Sequence, residues 1–396
     1  MRVVTDRERR HRLARRHAIA PRHRVADPEA ATRAMTVLHA TEAPSVYLAL
    51  LARVDDLSVA DVDRALYDDR SIVKQLAMRR TLFVFPRDLL PAAWGSASAR
   101  VARAHLTRLV KEVVAGGLAD DGEAWLEAAG AATVARLAGG AELSAQELRE
   151  QVPELAGRLH IGTGTRWAAN VTVAPRVLTQ LGLEATVVRG SNGGHWRTAR
   201  PRWTATETWL GRPPAPLEER EGYAELVRRW LVTFGPGTET DLVWWLGGTK
   251  GAVRTALGDV AAVEVGLEGG GTGWLLPDDA LLSRDEPEVE PWAALLPVLD
   301  PTVMGWKERG FYLGTHGPML FDTNGNAGTT AWWDGRIVGC WVQDPDGVVE
   351  PRLLADVGAE ARAALAVEAD RLTEWLDGHR VSTVYPSAAM KAARPS

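Results

Sequence analysis

Cysteine is almost missing from this chain, with one, Cys340, in 396 residues. A single thiol excludes an internal disulfide framework and suits a reducing cytoplasm, where the protein is expected to reside. Long hydrophobic runs are missing too. No stretch of about 18 apolar residues occurs, so no transmembrane helix and no membrane partner are expected. The charged N-terminus lacks the apolar segment of a secretory signal. The nine histidines are scattered without a cysteine or carboxylate set at ligand spacing, so no metal is expected. The glycine-rich stretches 162–165 and 269–272 lack the Gly-Lys-Ser/Thr ending of a phosphate-binding P-loop and read as turns, and no cofactor is expected. An overall positive charge is absent as well: the net charge of −5 argues against indiscriminate nucleic-acid binding.

What is present is the composition of a folded protein, 46% hydrophobic and 24% charged. At about 150 residues per domain the length suggests two to four modules. Charge is unevenly spread. Arg7, Arg9, Arg10, Arg12, Arg15, Arg16, Arg22 and Arg24 crowd the N-terminus with His11, His17 and His23, opposed only by Glu8. Asp278, Asp279, Asp285, Glu286, Glu288 and Glu290 form an acidic block far along the chain. A basic block on an acidic protein marks either contact with a phosphate backbone or a solvated helix face.

Along the chain one theme recurs: short helices, then two β-rich runs parted by a turn. First comes a basic helix capped at Thr5-Asp6. Helices over 28–38, 44–54 and 58–66 follow, then a β-rich run over 76–85 that stops at Pro86. A second segment has helices over 123–138, after a Ser144–Glu147 capping box, and over 171–181 with Gly182 as stop. Its β-hairpin is expected over 184–189 and 195–198 around Ser191-Asn192-Gly193-Gly194. A third segment has helices over 217–232, 238–246 and 250–257, then strands over 260–267 and 273–276. This is the order of a winged helix-turn-helix, whose second motif helix enters a DNA groove beside the hairpin. Beyond Pro291, short β-prone runs over 295–299, 310–313, 319–321, 329–333, 336–342 and 348–349 suggest a small barrel or curled sheet, which 380–385 can close after a helix over 355–376. Linkers are read at 213–216 and 285–291. The expected fold class is α+β: tandem winged helix-turn-helix modules over 1–100, 101–212 and 213–285, followed by a C-terminal β-barrel-like domain over 286–396.

The sharpest local feature is Leu38-His39-Ala40-Thr41-Glu42-Ala43-Pro44, just before the apolar run Ser45-Val46-Tyr47-Leu48-Ala49-Leu50. An imidazole, a hydroxyl and a carboxylate within four residues can bind and activate one water. The competing reading makes Thr41 a helix N-cap and Glu42 a partner of the helix dipole.

Taken together, these features resemble the AlkZ/YcaQ-like family of bacterial DNA glycosylases over about residues 1–385. The family carries a Gln-x-Gln or Gln-x-Asp motif in a phrase like Gly-Leu-Gln-Ala-Gln-Glu-Pro leading into Tyr-Leu-Ala-Leu. Here the matching phrase is Leu38-His39-Ala40-Thr41-Glu42-Ala43 leading into Tyr47-Leu48-Ala49-Leu50, with His39 and Thr41 in place of the glutamines. A phrase near Met-Arg-Gly-Thr-Leu-His matches Met78-Arg79-Arg80-Thr81-Leu82-Phe83, so Arg80 replaces a glycine and Phe83 a histidine. A third phrase matches Trp333-Asp334-Gly335-Arg336-Ile337-Val338-Gly339-Cys340-Trp341.

The resemblance implies hydrolysis of the N-glycosidic bond of an alkylated, N7-adducted purine in double-stranded DNA, in alkylation repair or self-resistance. Glu42 would activate water and stabilise the sugar cation, His39 would orient the water, and Thr41 would add a hydrogen bond. Lys74 is the closest lysine, too remote for a Schiff base, which favours a monofunctional hydrolase. Candidate DNA contacts are Arg79, Arg80, Arg166, Trp167, Asn170 and Arg176, with His195, Trp196 and Arg197 on the second wing. Most other tryptophans, Trp230, Trp244, Trp245 and Trp341 among them, fall at core positions. Three linked modules suit a monomer wrapping one duplex. The alternative is a non-catalytic winged-helix DNA-binding or regulatory protein, which would usually dimerise on a palindrome.

Overall fold

The computed structural model describes residues 1–161, 169–283 and 289–393. Local signals set most helix starts. Thr5 and Glu8 form a capping box for the helix Asp6–Arg16, and Asp27 caps Pro28–Ala34. Ser58 and Asp61 cap Val59–Asp63, which continues through one π turn, Arg64–Asp68. Each of these caps satisfies an N–H that the first helical turn leaves without a partner.

The first group of elements adds the helix Ala43–Leu51 and a three-stranded antiparallel sheet. In it Leu82–Pro86 lies between Leu38–His39 and Ile72–Leu76. The single β-rich run expected over 76–85 is thus two strands folded back at residues 77–81. The helix expected over 28–38 ends at Ala34. Thr36 then turns through a positive φ of 63°, and Leu38 and His39 pair with Val84 and Phe83.

The second group has a core of its own. Leu109, Val113, Ala129, Leu148 and Leu178 pack together from the helices Ala99–Ala115, Gly122–Leu137, Ala145–Gln151 and Ala174–Leu183. Two hairpins accompany them, Arg158–Ile161 with Ala169–Thr172 and Val187–Asn192 with Pro201–Ala205. The helix expected over 171–181 starts later, because residues 169–172 are claimed by a strand.

The third group runs Glu219–Phe234, Glu239–Leu246, Lys250–Asp259, then the hairpin Val263–Leu267 with Thr272–Leu275. Val3–Val4 joins that hairpin as a parallel edge strand, so the start of the chain is stitched to its third quarter. Beyond it, Ala293–Leu296, Thr330–Trp333, Arg336–Gln343 and Val349–Leu353 form an antiparallel sheet in chain order. This sheet is open, which corrects the barrel expected from the strand spacing. The runs at 310–313 and 319–321 lie in short helices, Gly310–Leu313 and Gly317–Leu320, and 380–385 forms no strand. Instead of closing on itself, the sheet is covered by the helix Gly358–Leu376, which touches both its first and last strands. One continuous apolar core joins the first group, the third group and this sheet.

The basic N-terminal segment packs inside the protein. Arg12 makes a bidentate, buried pair with Asp279 at 2.8 and 2.7 Å. Arg16 reaches the same carboxylate at 3.0 Å. Arg22 pairs with Glu290, and Arg24 with Glu368 at 2.7 Å. The acidic block is therefore part of its counter-charge. Among the described residues no helix is long and apolar enough to cross a membrane.

Candidate functional site

Strand pairing positions the first candidate side chain. His39 lies opposite Phe83, which lies opposite Gln75, so these three share one face of the sheet. Lys74, one residue along, belongs to the other face. The His39 ring meets Phe83 edge-on at 5.3 Å. Burial, and then the nearby charge of Arg79, push its pKa down to about 3, so the imidazole is neutral. The Thr41 amide donates to Nδ1 over a long 3.5 Å, which leaves Nε2 to carry the ring proton in the neutral tautomer. The Thr41 side chain is exposed.

Glu42 occupies the N-cap position of Ala43–Leu51, yet its side chain makes no capping bond, and Thr41 makes none either. Its carboxylate turns instead to the C-terminal segment. Oε1 accepts from the Thr383 hydroxyl at 2.9 Å and from the Val384 amide at 2.7 Å. Burial raises the Glu42 pKa above its ordinary value, against those two hydrogen bonds. Oε2 has no hydrogen-bond partner among the described residues. The carboxylate borders a cavity of about 610 Å³ lined also by Ser45, Trp341, Gln343, Arg380 and Thr383. That a segment 340 residues downstream holds Glu42 left no mark in the local sequence, where 380–385 reads as a strand.

The hairpin after this motif ends in two arginines. Met78 C=O accepts from the Thr81 amide at 3.0 Å. Between them Arg79 and Arg80 have φ of 54° and 59°, the geometry of a type I′ turn, which favours Asn and Gly. Arg79 lies over the Trp244 ring at 4.0 Å, and Arg309 lies over the same ring at 5.0 Å. Gly247, itself at φ 61°, permits this approach, since a Cβ there would come within 3.0 Å of Arg79 Cγ. Burial, and then Arg309, push the Arg79 pKa down to about 10, and its Nε has no hydrogen-bond partner among the described residues. Trp244 thus carries two guanidiniums, a role that its core-like spacing hid. Arg80 is exposed.

Other sequence candidates are placed differently. Arg166 and Trp167 lie outside the described residues. Asn170 is exposed on a hairpin strand, with Oδ1 accepting from Arg158 Nε at 3.1 Å. Arg176 pairs with Glu112 at 3.0 Å. The second hairpin forms, but the expectation that 195–198 are its return strand, carrying His195, Trp196 and Arg197, is corrected. The return strand is Pro201–Ala205, and residues 195–198 belong to its connecting loop. Trp196 is buried against Tyr47 and Trp375, each ring 5.3 Å away, because a large indole gains more from burial than from solvent. His195 faces His379 at 5.0 Å, and Arg197 Nη1 donates to the Arg380 carbonyl at 2.7 Å. This loop fastens the second group of elements to the first group and the C-terminal part. Among the described residues no three His, Cys, Asp or Glu side chains converge as a metal set.

Comparison with known proteins places this geometry in context. No curated protein matches the chain. Among solved structures, the Streptomyces sahachiroi DNA glycosylase AlkZ shares the fold with a TM-score of 0.73 at 18% identity, over 96% of this chain and 98% of that one. The model of the AlkZ-like DNA glycosylase family matches residues 32–375, a span that holds the His39–Glu42 motif, the Arg79–Arg80 turn and the C-terminal sheet. The chain belongs to the AlkZ-like family of DNA glycosylases.

Proposed function

We propose that this DNA glycosylase hydrolyses the N-glycosidic bond of N7-alkylated purines in duplex DNA, acting as a cytoplasmic monomer through His39, Thr41 and Glu42. An N7 adduct makes the purine cationic, so it departs without much acid catalysis. The sugar left behind carries oxocarbenium character, which an adjacent carboxylate stabilises. The neutral purine leaves with the electron pair of the broken bond, and water then adds to C1′, its proton passing to Glu42 Oε2. His39 donates its Nε2 proton to the water oxygen and so orients it. As a neutral ring it cannot serve as the acid. Thr41 supplies a further hydrogen bond from its exposed hydroxyl.

The observation that carries this reading is the Glu42 carboxylate. It makes no capping hydrogen bond, is desolvated enough for its pKa to rise, and keeps one oxygen without a partner among the described residues. Lys74 lies on the sheet face opposite His39, which favours a monofunctional hydrolase over a Schiff-base mechanism. Three groups of elements each run helices and then an antiparallel hairpin, which supports reading them as winged helix-turn-helix modules. Arg79, Arg80 and Asn170 are the DNA contacts retained.

The test is incubation with duplex DNA containing N7-methylguanine or a bulkier N7 adduct, followed by alkali to reveal abasic sites. Glu42→Gln and His39→Ala should each lower the rate by about 10²-fold or more. The acid limb of the wild-type rate should titrate above the ordinary glutamate value. A Glu42→Gln enzyme with an unchanged rate removes Glu42 from the mechanism.

A further inference from the structure

Where the hairpin of the first group meets the second group, the surface folds into an open cavity of about 200 Å³. Three cations line it: Lys74 from Ile72–Leu76, Arg80 from the turn, and Arg189 from Val187–Asn192. Its other walls are largely apolar, with Leu76, Leu82 and Val187, and no carboxylate lines it. Arg189 lies over the Trp203 ring at 5.0 Å and makes no hydrogen bond or ion pair with a described residue. Lys74 Nζ donates to the Tyr67 hydroxyl at 2.7 Å. Burial, then the charge of Arg189, push the Lys74 pKa down to about 8, against a smaller opposing pull from Asp63.

Arg80 completes this cluster at a conformational cost. Its φ of 59° lies in the left-handed region that glycine occupies freely and a side-chain-bearing residue does not. The resembling family phrase has glycine at this position. The chain thus carries a strained residue that adds a third positive charge to two that have no carboxylate in ion-pair contact among the described residues. Strain of this kind persists where the surrounding structure over-determines it, and it clusters at sites that hold ligands. Arginine and lysine together supply forked and point-charge donors matched to phosphate oxygens.

We propose that the cavity formed by Lys74, Arg80 and Arg189 is a phosphate-binding site, and that the phosphate it takes belongs to the backbone of the DNA duplex. The second half of this statement rests on the duplex substrate argued above. The site would pin one strand where the first and second groups of elements join, on the opposite sheet face from His39.

The experiment is the salt dependence of affinity for an undamaged duplex, measured for the wild type and for Arg80→Gly, Arg189→Met and Lys74→Met. Each variant should bind more weakly, and its log affinity against log salt should be shallower by up to about 0.9 for the lost contact. Arg80→Gly should at the same time raise the melting temperature, since it relieves both the backbone strain and the charge repulsion. Weaker binding together with a more stable fold separates a lost contact from a damaged protein. If the wild type binds duplex and the three slopes match its own, the proposal is overturned while the glycosylase reading stands. A wild type that does not bind duplex overturns the substrate reading and the backbone source with it. Inorganic phosphate is the second arm. Stabilisation of the wild type but not of Arg189→Met, with unchanged duplex slopes, keeps the site and replaces its source by free phosphate. No response in either arm removes the site altogether.

Discussion

Two sets of arginines in this protein share a side chain and differ in everything around it. Those of the N-terminal segment are the densest in the sequence, and several of them are consumed internally. Arg12 grips Asp279, Arg24 grips Glu368 through both oxygens, and the nearby Arg53 makes a fully buried bidentate pair with Asp300 at 2.9 and 2.7 Å. Those around the Arg79–Arg80 turn are sparse, and none of Arg79, Arg80, Arg189 or Arg309 has a carboxylate partner among the described residues. They rest on tryptophan faces or line a cavity. In a chain with 51 acidic and 46 basic residues, an arginine left without an acid is the informative one. Density along the sequence is a poor guide to where phosphate will bind.

The largest effect should come from breaking the first set. Arg53→Met leaves Asp300 as an uncompensated buried charge, and also removes donors to the His17 and Ala49 carbonyls. A loss of about 3–5 kcal/mol is expected in chemical denaturation, with no change in the salt slope of duplex binding. A cost under ~1 kcal/mol would show that the internal arginines are not structural.

Protonation offers an intermediate test, because each region holds one buried neutral histidine. His17 lies stacked on Trp306, with its pKa lowered first by burial and then by Arg53. His39 sits beside Arg79, with its pKa lowered to about 3. The unfolded chain protonates both rings below about pH 6.5, while the folded chain resists. Unfolding therefore takes up protons, and stability falls as pH drops below about 6.5, by ~1.4 kcal/mol per pH unit for each ring. For His39 the loss ends near pH 3. His39→Gln should flatten this slope by one ring's share between pH 4 and 6, and His17→Gln should flatten it below about pH 6. An unchanged slope in either variant would show that the ring in question is already charged in the folded protein.

The smallest effect belongs to the one N-terminal pair left in solvent. Arg22 and Glu290 are 79% and 68% exposed, so Arg22→Ala should change stability by less than about 0.5 kcal/mol. A thermal melt reads it, and a larger shift would mean that the whole basic segment is used structurally.

Much of this could be read from the chain alone, and particular residues say why. Thr5, Ser58, Ser144 and Thr238 begin helices because a side-chain oxygen three residues before an amide is a local device. The third group was legible nearly to the residue for the same reason, its caps and glycine turn being local. His195–Thr198 misled because alternation of polar and apolar residues says nothing about what a loop tryptophan will pack against. Residues 310–313 are β-prone in composition and helical in fact, because tertiary packing overrides a four-residue preference.

The α+β character, the run of helices and hairpins, and the motif His39–Glu42 follow from residue order alone, since each depends on neighbours a few positions apart. That Glu42 is held by Thr383 and Val384, that Arg12 and Arg24 answer Asp279 and Glu368, and that Lys74, Arg80 and Arg189 face one cavity emerges only once the chain is folded. Electrostatic free energy depends on distance and burial, and neither is written in the order of residues along a chain.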